Sequence, residues 1–277
     1  MKNRFLILLS FVLIVGRDVV CANTSMVRER ININRDWRYQ IDDPDGVGAA
    51  LHYSRLKPYL LPCANDFIIF GKRYQRPEGN PGENIAYVKS DFDDSEWRHL
   101  NLPHDWAIEG PFNIDYNGST GKLPYWGIRW YRKTLELSQD DAGKQIYLDI
   151  DGAMSYVSVW CNGQYVGGWP YGYASFRLDL TPYIKAGQKN VLAIRLDNPD
   201  DTSRWYPGSG IYRNVWLVKT SPVHVEQWGT FVRNQQVDSE IAVMEMGVNI
   251  ENHAGKDVQV KLQTSVYLQG KDGRPVG

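Results

Sequence analysis

Asn162-Gly163 sits between two alternating runs, Tyr156-Val157-Ser158-Val159-Trp160-Cys161 and Gln164-Tyr165-Val166-Gly167-Gly168. Both central residues of a type I′ turn need positive φ, which Asn and Gly adopt at low cost, so this dipeptide specifies a β-hairpin. The same period of two recurs at residues 30–39, 130–137, 145–150, 175–180, 190–196 and 210–218. No long segment carries a 3.6-residue period, and the one helical turn expected is short, near residues 181–185. Many short strands set apart by turn residues specify an all-β fold of two packed sheets, and at this size a jelly-roll β-sandwich. Residues 42–90 hold several Pro and Gly and read as loops with short strands rather than core.

Ser221-Pro222 marks a boundary, so residues 23–220 are expected to form the jelly roll. Beyond it, residues 223–233, 241–251 and 258–267 alternate again. The stretch 221–277 is only about half of an immunoglobulin-like sandwich of roughly 100 residues, so a partial, truncated immunoglobulin-like β-sandwich is expected there. A half sandwich leaves strand edges unpaired.

Charge narrows the functional classes. Lys+Arg is 31 and Asp+Glu is 32, for a formal net charge of -1, and no basic stripe offers itself to nucleic acid or an anionic membrane. Ten Trp and 17 Tyr are many for 277 residues. Such flat amphipathic rings fill sandwich cores, and they also stack on sugar faces.

The N-terminus reads as an address. Lys2 and Arg4 precede an apolar stretch, residues 5–16, that is too short to span a bilayer. Val20-Cys21-Ala22 then offers small residues to a signal peptidase, so a signal peptide over residues 1–22, cleavage after Ala22 and a periplasmic or extracellular protein are expected. Lipid attachment at Cys21 is the alternative route. No second long apolar run follows, so no membrane span is expected. Cys63 and Cys161 are then the remaining cysteines, too few for a disulfide framework, and they read as buried thiols. The five His residues show no metal-ligand spacing, and no metal or other cofactor is assigned.

Several carboxylates are candidates for a catalytic pair. Asp149 and Asp151 lie two apart on a strand and so share a face, but Asp151-Gly152 reads as a turn. Asp93, Asp94 and Glu96 fall in a polar loop and read as solvated. Asp200 and Asp201 follow a strand, where functional weight remains. No Gly-x-Ser-x-Gly elbow or phosphate loop is present, and Ser209 lacks a strand-to-helix context. No self-contained active site emerges.

Five motifs in order carry a resemblance. They are Leu102-Pro103-His104-Asp105-Trp106 with Gly110-Pro111-Phe112; residues 127–133 (Gly-Ile-Arg-Trp-Tyr-Arg-Lys); residues 159–167; Tyr171-Gly172-Tyr173-Ala174-Ser175-Phe176 with Asp179-Leu180-Thr181; and residues 203–213 (Ser-Arg-Trp-Tyr-Pro-Gly-Ser-Gly-Ile-Tyr-Arg). Together they resemble the N-terminal region of family 2 glycoside hydrolases of the β-galactosidase type. The resemblance implies a jelly-roll sugar-binding domain, then immunoglobulin-like domains, then a (β/α)₈ barrel that carries both carboxylates of a retaining hydrolase. No catalytic residue is therefore expected in this chain, and its partners would be a β-galactoside-like glycan and its own barrel.

The positions matching the family's substrate-binding loops are Asp105, Asn198, Arg204 and Trp205. Asp105 could accept two sugar hydroxyls, and Trp205 could stack on a pyranose. His104-Asp105 as a loop-anchoring pair, Arg204 as an ion-pair strut and Trp205 as a packing residue are the structural alternatives. Two whole-chain readings stand beside the leading one: a free-standing carbohydrate-binding module, and a purely structural scaffold.

Overall fold

The structure is a computed structural model that describes residues 28–277 apart from Ile69, Asp201, Thr202, Asp272, Gly273 and Gly277. The expected leader and the processing site at Cys21 lie outside the described residues, as does Asp201. The chain divides into two compact units, one extending to Ser221 and one beginning at Pro222.

In the first unit the strands are β1 (Arg28–Asn32), β2 (Trp37–Ile41), β3 (Arg98–Leu100), β4 (Gly127–Glu136) and β5 (Gln145–Ile150). β6 (Val157–Cys161), β7 (Gln164–Trp169), β8 (Phe176–Asp179), β9 (Lys189–Asn198) and β10 (Val215–Thr220) follow. They form two antiparallel sheets, of order β1-β10-β5-β8 and β3-β2-β4-β9-β6-β7, and so a jelly-roll sandwich. The hairpin forms at Asn162 and Gly163, whose φ values are 52° and 79°. The run at 30–39 is two strands rather than one, because Asp36 takes φ 59° and the chain crosses from one sheet to the other.

Period-two alternation decides which side chains meet. On β9, Leu192, Ile194 and Leu196 face the four-stranded sheet with Tyr131 and Leu135 of β4 and Val157, Val159 and Cys161 of β6. Leu148, Ile150, Leu178, Val215 and Leu217 meet them from the opposite sheet.

The other face of the six-stranded sheet is also buried, and this corrects the reading of residues 42–90. Its described residues hold no strand. It forms a short helix, α1 (Tyr53–Leu60), flanked by 3-10 turns, and lays Val47, Leu51, Leu56, Leu60, Ile85 and Val88 over Trp97, Trp130, Trp160 and Tyr165. Trp130 and Trp160 stack at 5.4 Å beneath it. The segment looked like loop because its apolar residues are spaced for a surface cap rather than for a strand.

Two arginines are buried in this second layer, held by carboxylate and carbonyl acceptors. Arg195 Nε and Nη2 both donate to Asp43 at 2.8 Å, and Nη1 donates to Leu51 O and to Asp197 Oδ2, each at 3.3 Å. Arg132 Nε donates to Asp94 Oδ2 at 2.7 Å, and its Nη1 donates to the Tyr87 carbonyl. Asp94 is therefore a structural partner rather than a solvated loop acid. Cys63 and Cys161 are free thiols, and burial pushes the Cys161 thiol up to about 12.

The second unit holds a two-stranded antiparallel ribbon, β11 (Val223–Val237) with β12 (Ala242–Asn252), and a small pair, β13 (Leu268–Gln269) with β14 (Pro275–Val276). Residues 258–267 carry a strand's alternation but form no strand. Alternation specifies a face, and without a hydrogen-bonding neighbour that face has nothing to pair with.

Candidate sugar-binding site

One end of the first unit gathers the loop after β3, the loop between β7 and β8, and the loop that leaves β9. Their positions are set by backbone ties. His104 N donates to Ile211 O at 2.8 Å, while Met154 and Gly210 exchange bonds of 2.9 and 3.1 Å. Gly210 makes this approach possible. It takes φ +84°, and a Cβ there would meet His104 O at 2.5 Å and Tyr131 Oη at 2.7 Å.

Asp105 stands in this tied loop, half-buried. Its Oδ1 accepts from Ala107 N at 3.1 Å and its Oδ2 accepts from Tyr206 Oη at 2.6 Å. A carboxylate offers about four lone-pair positions, so these two bonds leave about two. Burial holds the Asp105 carboxyl above its ordinary value despite these donors. Burial, and then the bond it donates to Asp105, push the Tyr206 phenol up as well.

His104 does not pair with Asp105 as the anchoring alternative supposed. Its Nδ1 shares a 2.8 Å hydrogen bond with Tyr131 Oη, and its Nε2 lies 3.3 Å from Glu109 Oε1 without forming a hydrogen bond. Desolvation lowers the His104 pKa. Glu109 is held chiefly by Arg98, which donates twice at 2.7 Å and depresses its carboxyl pKa.

Asn198, at the end of β9, is only 1% exposed. Its Nδ2 donates to Tyr125 O at 2.7 Å and Gly208 O at 3.1 Å, while Ser155 Oγ donates to its Oδ1 at 3.3 Å. The structure therefore places Asn198 beneath the loops, as a tie between them. Ser209 is buried and donates to Tyr125 O at 2.7 Å, and Asp200 accepts from Tyr125 Oη at 3.0 Å. Arg204 is exposed at the surface of the same loop.

Trp205 is 59% exposed. Its Nε1 donates to Tyr173 Oη at 3.0 Å, and Tyr173 Oη donates to Pro207 O at 3.0 Å. Asp105 and Trp205 are thus brought together through the one loop that also carries Tyr206. Two partners were missed in the sequence, Tyr206 and Tyr173. Both lie within the quoted motifs, and the signal for Tyr173 was a Gly-broken aromatic pair, Tyr171-Gly172-Tyr173, in a loop rather than a strand.

The other candidate carboxylates are structural. Asp149 takes two bonds from Arg177, at 2.6 and 2.8 Å, and Asp151 Oδ2 accepts from Trp216 Nε1 at 2.9 Å. Among the described residues no group of three or more His, Cys, Asp or Glu could hold a metal ion, and no helix is long and apolar enough to cross a membrane.

Residues 86–221, which include all four site positions, match the model of the "Glycosyl hydrolases family 2, sugar binding domain". The chain belongs to glycosyl hydrolase family 2. It is 40% identical over 261 residues to a β-galactosidase of Bacteroides ovatus, covering 92% of this chain and 26% of the relative. A putative β-glucuronidase of Formosa agariphila is 35% identical, covering 72% of this chain and 20% of the relative. Among solved structures, a β-glycosidase from Bacteroides vulgatus matches with a TM-score of 0.64 and 30% identity over 89% of this chain and 27% of that one. The chain thus spans about a fifth to a quarter of the length of these relatives.

Proposed function

We propose that this chain is the non-catalytic, sugar-binding part of an exported, retaining β-galactosidase-type hydrolase, and that its end loops shape the substrate subsite of a barrel that is not part of this chain. The observation that carries the reading is Asp105. It is a half-buried carboxylate held above its ordinary pKa in a loop locked through Tyr206 and Ala107, with about two acceptor positions open. Keeping a charge where desolvation opposes it costs stability, and such groups concentrate at functional sites. A rigid carboxylate with open acceptor positions suits sugar hydroxyls, bound more tightly as the ring distorts toward its transition state. Asn198 acts by positioning the loops, and Trp205 and Arg204 offer the exposed surface beside them. The β-galactosidase named among the relatives favours a galactoside over a glucuronide as substrate.

Asp105→Ala tests this in the longer enzyme that carries the chain. The expected result is a fall in kcat/KM on an aryl β-galactoside of roughly 10²-fold, about 2.7 kcal/mol, while the 277-residue chain alone shows no turnover. Unchanged catalytic efficiency in the variant would remove Asp105 from the subsite.

A further inference from the structure

Three exposed rings share the loops beside Asp105. Tyr171 is 60% exposed, Tyr173 44% and Trp205 59%. Tyr171 and Tyr173 lie edge to face at 5.6 Å, and Trp205 joins them through the hydrogen bond from its Nε1 to Tyr173 Oη. The arrangement is rigid. Tyr212 Oη donates to Gly172 O at 2.7 Å, and a Cβ at Gly172 would meet Met154 Sδ at 2.3 Å, so the loop between the two tyrosines is clamped from below. Trp205 is braced from its own side, since its N–H donates to Ser203 Oγ at 3.2 Å, and that hydroxyl donates to Trp205 O at 2.9 Å.

The polar tips of Trp205 and Tyr173 are thus spent inside the protein, while ring surface remains in water. Large aromatic surface of this kind costs free energy unless something covers it. Rigid Tyr and Trp side chains are also efficient contact surfaces, because little rotamer freedom is lost when a ligand settles on them. The complement to such surface is one rich in C–H groups that asks no hydrogen bond of the ring. The C–H face of a pyranose provides this, while its hydroxyls point outward to water and to neighbours such as Arg204. With Tyr171 edge-on to Tyr173 at 5.6 Å and Trp205 hydrogen-bonded to Tyr173, the exposed aromatic surface is wider than one ring.

We infer that Tyr171, Tyr173 and Trp205 form a ledge for the extended part of a β-linked oligosaccharide, so that the glycan recognised is a chain rather than a monosaccharide. This rests on the sugar-binding reading above and adds Tyr171 and Tyr173 to it. Asp105 meets one unit, and the ledge carries those that follow.

Isothermal titration of the 277-residue chain with β-1,4-galacto- and cello-oligosaccharides of two to six units tests the ledge. At least one series should bind, with affinity rising about tenfold or more from the shortest to the longest member, about 1.4 kcal/mol. Tyr171→Ala and Trp205→Ala should each remove most of that length dependence while leaving Tm within about 2 °C, since both are exposed side chains. Tyr173→Phe should lose less, because it keeps the ring and removes only the hydroxyl that orients Trp205. Binding to neither series, affinity independent of length, or variants that bind like the parent would each overturn the ledge. Asp105→Ala should leave the length dependence in place. Failure of the ledge is therefore separable from failure of Asp105, which is read from hydrolysis of an aryl galactoside with no chain to bind.

Discussion

The two units use the same alternating pattern and reach opposite outcomes. In the first, β4, β9, β6 and β7 of the six-stranded sheet have cover on both faces, from the facing sheet on one side and the α1 segment on the other. In the second, Phe231, Val232, Val237, Ile241, Val243 and Met244 on β11, β12 and the turn joining them remain exposed. Alternation chooses a face, and only a second layer turns that face into a core. The ion pairs repeat the contrast. Arg195 is buried against Asp43, whereas Arg233 meets Glu245 at 3.1 Å near the surface.

Breaking those two pairs should give the largest separation. Asp43→Ala takes its two-bond partner from a buried guanidinium, leaving it Asp197 at 3.3 Å, and is expected to destabilise the first unit by about 3 kcal/mol or more. Glu245→Ala removes a partly exposed pair and should cost less than about 1 kcal/mol. Chemical denaturation of both variants checks this, and equal effects would erase the distinction between the units.

A matched pair of glycines sharpens it. Gly210→Ala combines left-handed strain with clashes at 2.5 and 2.7 Å, and should cost about 3 kcal/mol, lowering Tm by roughly 10 °C. Gly255, also at positive φ (+71°), has nothing within 4 Å of its would-be Cβ, so Gly255→Ala should cost only about 1 kcal/mol and leave the main transition unmoved.

The smallest effect concerns pH. Burial raises the Asp105 pKa above its ordinary 3.8, so its contribution to stability is full below that value and is lost as pH rises through the folded-state value. Asp105→Asn does not titrate. The stability deficit of this variant relative to the parent should therefore shrink between pH 3 and pH 7, as read from Tm at each pH. A deficit that grows with pH would mean the hydrogen bonds to Asp105 outweigh its desolvation.

These contrasts also mark what the sequence made legible. Asn162-Gly163 and the runs feeding β4 to β10 carried the sandwich, because turn chemistry and period two are local properties. The cover over Trp130 and Trp160 was not legible. It depends on Leu51, Leu56 and Ile85 meeting residues far along the chain, within a segment whose Pro and Gly read locally as loop. Residues 258–267 failed in the opposite sense, with a local pattern but no neighbour to complete it. At the site, Asp105 and Trp205 could be named from their motif. That Tyr206 would occupy the carboxylate, and that Asn198 would be buried rather than open to a ligand, follow only from the way three loops fold together.

The central claim is that this end of the sandwich presents Asp105 to a sugar. The most direct test is kcat/KM of the longer enzyme carrying Asp105→Asn, a neutral replacement of the same shape, on an aryl β-galactoside. The account predicts a fall of roughly 10²-fold. An enzyme that keeps its full catalytic efficiency while its melting temperature drops would contradict it, and would make Asp105 a loop tie like Asn198.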